Sequence, residues 1–118
     1  MVNNSVALGN RVHMYARPDR KENLTEFFTK ILGCEAALMP GTPILVIRFP
    51  NSSLSVEFTD DALDEHLAQR GTWLEVKPDD PVALKEKILA AGLTRIVHPG
   101  SDRFYFQSPG GQVWGIVE

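Results

Sequence analysis

A chain of 118 residues, 43% of them hydrophobic, can bury one real core and is too short for two conventional domains. Its formal charge of -3, with Lys and Arg scattered, supplies no basic stripe that could track a phosphate backbone, so nucleic acid is not an expected partner. No apolar run is long enough to span a bilayer, nothing resembles a signal peptide, and the lone Cys34 rules out an internal disulfide, so the expected setting is the reducing cytoplasm, away from membranes.

Taken in order, residues 11–17 alternate: Val12, Met14 and Ala16 oppose His13, Tyr15 and Arg17, the period of a strand. A helix follows. Asp19 and Glu22 have capping-box spacing, and Leu24, Phe27, Phe28, Ile31 and Leu32 form one apolar stripe that stops at Gly33. Cys34, just beyond, reads as a small buried hydrophobe. In residues 54–58, Leu54, Val56 and Phe58 face away from Ser55 and Glu57.

Residues 60–71 read as a charged linker with room for a helical turn or two. His66 there, beside Asp61, Asp64 and Glu65, is better read as part of a solvated connection than as a metal cluster. In the next strand Leu74 and Val76 oppose Trp73, Glu75 and Lys77. Asp80 then offers an N-cap followed by Pro81, and the helix it starts buries Leu84, Ile88 and Ala91 before Gly92. Phe104 and Phe106 oppose Arg103, Tyr105 and Gln107. Gly110-Gly111 reads as a hairpin turn rather than a phosphate loop, because no helix follows it. No Ser/His/acid arrangement is expected, since no serine sits at a strand-to-helix elbow. Trp114 is assigned to the core and Trp73 to the polar face, which with Tyr15 and Tyr105 suggests a partly enclosed cup.

The two halves repeat. Arg17-Pro18-Asp19 returns as Lys77-Pro78-Asp79, Pro40-Gly41-Thr42 as Pro99-Gly100-Ser101, and Phe49-Pro50-Asn51 as Ser108-Pro109-Gly110, at offsets of roughly 60 residues. The expectation is an α+β fold in one domain over residues 1–118. Module one spans about 9–59, the linker about 60–71 and module two about 72–118, with an approximate two-fold axis between the modules.

Two tandem βαβββ modules, an opening HMYARPD...FFTKILG and a closing FYFQSPGGQVWGIVE resemble the vicinal oxygen chelate superfamily, which includes glyoxalases, bleomycin-resistance proteins and extradiol dioxygenases. The resemblance implies curved, mainly antiparallel sheets forming a cup, a helix packed outside each, and a divalent ion held by residues of the first and last strand of each module. His13 matches the first-strand histidine and Glu57 the fourth-strand position. In the second module the matching positions are Gly71 and Gly115, so two ligands are missing.

A catalytic metal site generally needs three protein ligands and an open position. Glu75 is the residue that could complete a set with His13 and Glu57, with Glu118 a weaker alternative. The preferred expectation is therefore no cofactor, and a small-molecule binding or sequestering protein for an oxygen-bearing or aromatic ligand. Its ligand residues would be Tyr15, Arg48, Trp73, Arg103 and Tyr105. The alternative is a glyoxalase-type lyase or isomerase with nickel, zinc, manganese or iron on His13, Glu57 and Glu75, in which Glu57 or Glu75 moves a proton. A dimerisation module without a ligand is the third expectation, and a homodimer is expected in each case.

Overall fold

The computed structural model describes residues 4–118. Strand β1 (Arg11–Ala16) leads through a single 3-10 turn, Pro18–Arg20, into helix α1 (Lys21–Glu26), which continues as a π-wound segment, Phe27–Ile31. Strands β2 (Glu35–Leu38), β3 (Ile44–Phe49) and β4 (Ser52–Phe58) complete the first module. A short helix, α2 (Glu65–Ala68), leads into β5 (Trp73–Val76), helix α3 (Pro81–Ala90), β6 (Thr94–Ile96), β7 (Tyr105–Gln107) and β8 (Val113–Ile116).

The same topology occurs twice. The sheets run β1-β4-β3-β2 and β5-β8-β7-β6, each with its first strand parallel to its last and the other pairs antiparallel. This is an α+β fold of two βαβββ modules, as the internal repeat predicts. No helix among the described residues is long and apolar enough to cross a membrane.

Alternation decides what each strand buries. Leu54, Val56 and Phe58 are buried while Ser55 and Glu57 stay half-exposed on the other face of β4. The helical stripe of Leu24, Phe27 and Phe28 is fully buried, with Ile31 and Leu32 packed at its margin. One core serves both modules: the Phe27 ring lies 5.1 Å from Phe28, 5.9 Å from Phe106 and 6.1 Å from Trp114. Trp114 is buried as expected, and its indole N–H donates to Ser108 Oγ at 3.0 Å.

Three local expectations differ. Asp19 does not cap α1, because Pro18 starts helical winding early and draws Asp19 into the turn; no side chain caps this helix. Ala91 is exposed because α3 ends at Ala90 and the chain turns away at Gly92. Val12, near the start of β1, remains 39% exposed. Asp80 behaves as predicted: its Oδ1 accepts from the Ala83 N–H at 3.1 Å, with Pro81 at the first helical position. Asp80→Ala is accordingly expected to cost about 1 kcal/mol by chemical denaturation, and Asp80→Asn close to nothing.

Burial pushes the Cys34 thiol above its ordinary value. The folded state therefore holds the Cys34 proton more tightly than the unfolded chain. Its contribution is present below the pH at which a free thiol ionises and fades as pH rises beyond it. Urea midpoints measured across this alkaline range for wild type and Cys34→Ser are expected to converge as pH rises.

Candidate functional site

The polar face of the first sheet is assembled by register. Parallel pairing of β1 with β4 sets His13 opposite Ser55 and Tyr15 opposite Glu57, so four polar side chains share one patch. The His13 ring is held at both nitrogens, with Nδ1 2.6 Å from Ser55 Oγ and Nε2 3.2 Å from Glu57 Oε1. An ionised carboxylate can only accept, so against Glu57 the His13 Nε2 carries the proton. In the neutral ring Nδ1 is then bare, and Ser55 donates to it. Tyr15 meets the His13 ring edge-on at 5.0 Å.

This patch is one wall of a cleft of about 550 Å³. Thr59 and the linker supply a second wall, the linker through Asp61, Ala62 and Leu63, and the β7–β8 turn supplies a third through Gly110 and Gln112. Polar contacts hold the turn in place. Gln112 Nε2 donates to the Tyr15 carbonyl at 3.0 Å, and Gln107 Nε2 donates to the carbonyls of Gly111 and Glu65. Gln69 Nε2 donates to Gln107 Oε1 at 3.0 Å, and Arg20 pairs with Glu65 at 2.5 Å. Glycine is required in the turn: Gly111 has φ +104, and a Cβ there would lie 2.9 Å from Ala68 Cβ. The turn is the hairpin expected, and Gly111 N–H bonds to Ser108 O at 3.0 Å.

On the second sheet the polar side chains engage one another. Tyr105 is buried, edge-on to Trp73 at 5.1 Å and to His98 at 4.4 Å, with its hydroxyl 3.3 Å from Ser101 Oγ. Arg103 donates to Glu75 and lies 6.0 Å from the centre of the Trp73 ring. Parallel register places Glu75 opposite Gly115, as Tyr15 is opposite Glu57, so Gly115 is the counterpart of Glu57. A Cβ on Gly115 would meet the Tyr105 ring at 2.8 Å. The space where a side chain would leave this position is filled by tyrosine. The same register equates Trp73 with His13, two residues beyond the Gly71 singled out by the resemblance.

Of the residues singled out from sequence, His13, Tyr15 and Glu57 are brought together in the cleft. Trp73, Glu75, Arg103 and Tyr105 form a separate cluster on the second sheet. Arg48 joins neither; it lies exposed on β3 between Glu35 and Ser53. Glu118 is engaged by Lys85. His13, Glu57 and Glu75 do not converge, and no group of three or more His, Cys, Asp and Glu side chains suited to a metal forms among the described residues. As it stands in this chain, the donor set does not fit a three-ligand metal centre. Two of the linker acids act structurally: Asp64 caps α2 through the Leu67 N–H at 2.9 Å, and Glu65 pairs with Arg20.

Sequence reasoning missed Ser55, Asp61 and Gln112. Ser55 was legible in principle, being two residues before Glu57 on the same strand face. From sequence, His13 is expected to hydrogen-bond within the cup to Glu57 or Tyr105, and Glu57 is the partner found. Ser55 on the other ring nitrogen was not anticipated, because that contact depends on the β1–β4 register.

No protein-family model and no curated protein matches the sequence. Solved structures do match. A protein of Bacillus anthracis described as glyoxalase family aligns with a TM-score of 0.75 at 14% identity, covering 98% of this chain and 97% of that one. An integron cassette protein from the mobile metagenome of V. cholerae gives 0.69 at 14% identity, with coverage of 98% and 97%. The fosfomycin resistance protein FosX of Listeria monocytogenes gives 0.71 at 10% identity, with coverage of 95% and 93%. With its two βαβββ modules in tandem and near-complete alignment to these structures, the chain has the fold of the vicinal oxygen chelate superfamily.

Proposed function

We propose that this protein binds a small organic molecule in the cleft between β1, β4, the linker and the β7–β8 turn, without a metal ion. The cleft itself carries the reading: about 550 Å³ is within the range of small-molecule sites, and its lining mixes apolar and hydrogen-bonding groups. Support also comes from how the potential ligands are used. Both nitrogens of His13 are occupied by Ser55 and Glu57, and Glu75 is neutralised by Arg103. In this reading His13 and Glu57 hold each other rigid and present Tyr15 to the ligand. The free Cys34 thiol is compatible with a reducing cytoplasm.

The second reading keeps a divalent ion on His13 and Glu57, and rests on their meeting 3.2 Å apart on one wall. It needs at least one further ligand, which a second copy of the chain could provide. We include a homodimer in the proposal because Tyr15 and Trp73 leave 54% and 44% of their surface exposed.

Elemental analysis after incubation with nickel, zinc, manganese and iron(II), run beside light scattering, separates the readings. No bound metal is expected, with a mass twice that of the chain. Stoichiometric metal, lost in His13→Ala and accompanied by a raised melting temperature, would sink the metal-free reading. A monomer at micromolar concentration would sink the dimer.

A further inference from the structure

The cleft has a sign. Two carboxylates, Glu57 and Asp61, line it, and no Lys or Arg does. The arginines considered as ligand residues are elsewhere: Arg48 faces solvent on β3, and Arg103 is paired with Glu75 on the second sheet. Arg20 is paired with the linker's Glu65. Asp61 makes no salt bridge among the described residues; its backbone N–H is the group bonded to Thr59 Oγ1, at 3.2 Å. Glu57 has only the His13 ring as a partner, leaving lone pairs that can face the cleft.

The side-chain nitrogen donors of the lining are committed. The His13 Nε2 proton is directed at Glu57, and Gln112 Nε2 at the carbonyls of Tyr15 and Gly110. An anionic ligand would enter against two carboxylates with no Lys or Arg of the lining to compensate it. A cation meets the opposite situation. The carboxylates attract it, and the exposed ring of Tyr15 offers a face for cation–π contact. Leu63, an exposed apolar side chain of the lining, supplies apolar surface for the rest of such a molecule.

We infer that the ligand of this cleft is an organic cation, an amine carrying an aromatic or aliphatic body, rather than an anion or a neutral oxygen compound. The inference rests on the small-molecule reading above and assigns its ligand class. Asp61 is the charge-selecting residue, and Tyr15 is the aromatic platform.

The test compares phenethylamine, phenethyl alcohol and hydrocinnamate, which share one aromatic body and differ in charge, by amide NMR titration of the isotope-labelled protein. Shifts at Tyr15, Ala62 and Gln112 are expected with phenethylamine at an affinity roughly fivefold above phenethyl alcohol, and hydrocinnamate should bind weakest. The preference should shrink as salt is raised to about 0.3 M. Asp61→Asn should weaken phenethylamine roughly threefold while leaving phenethyl alcohol unchanged. Equal binding of all three probes, or hydrocinnamate binding best, would overturn the charge assignment while leaving the binding cleft intact. If no probe moves any cleft resonance, the small-molecule reading falls, and the ligand class falls with it.

Discussion

Gly115→Glu, which places a carboxylate at the counterpart of Glu57, is expected to destabilise the protein by about 3 kcal/mol or more instead of building a metal site. The cause is steric first. A Cβ at this position would lie 2.8 Å from Tyr105 Cε1 and 3.1 Å from Cδ1, a separation at which something must move. Tyr105 cannot yield easily, being wedged between Trp73 and His98 and buried. The cost is then electrostatic, since Gly115 is buried and Arg103, whose Cδ is 3.3 Å from the built Cβ, already serves Glu75. For a domain of this size the loss corresponds to a fall in melting temperature of about 10 °C or more. Gly115→Ala should show the steric part alone, about 1–3 kcal/mol. Adding Tyr105→Ala to Gly115→Glu should recover part of the loss relative to the sum of the single changes, because the two residues contend for one space. Strict additivity in that double-mutant cycle would show that Tyr105 is not what excludes a side chain from the site.

Phe27→Ala should have an effect at least as large, about 3–5 kcal/mol, and should be felt in both modules at once. The ring is fully buried and touches Phe28 from its own helix together with Phe106 and Trp114 from the second sheet. Its removal leaves a cavity at the junction, in a chain whose total stability is on the order of 10 kcal/mol. Backbone amides of β4 and β8 are therefore expected to lose exchange protection together. Phe27→Leu, which keeps much of the volume, should cost far less. A second module that remains protected after the first has opened would refute the shared-core account, and would make the modules independent folding units.

How much of this was legible in the sequence depends on the range of the interaction. Strand faces in β4 and the buried stripe of Leu24, Phe27 and Phe28 followed from period alone, because side-chain direction in regular structure is set by adjacent backbone dihedrals. The Asp80 cap also followed from local chemistry, whereas the Asp19 cap failed to form because Pro18, one residue earlier, had already begun the winding. The repeat predicted two like modules, and both sheets have that topology.

The candidate site was legible only in part, for a physical reason. Composition and periodicity determined that this chain makes two βαβββ modules with one polar sheet face each, and that His13, Tyr15 and Glu57 share the first of these. They could not determine which polar faces stay open. The first remains accessible because the linker and the Gly110–Gln112 turn stand at its margin, held by Gln112 across to the Tyr15 carbonyl, a contact between residues 97 apart in sequence. The second is filled by Tyr105, and its Glu75 and Arg103 neutralise each other instead of facing a ligand. Contacts at such separations form only once strand register and loop docking have been chosen by the whole core, so tertiary structure alone decided that one polar face would border a cleft and the other carry a self-paired cluster.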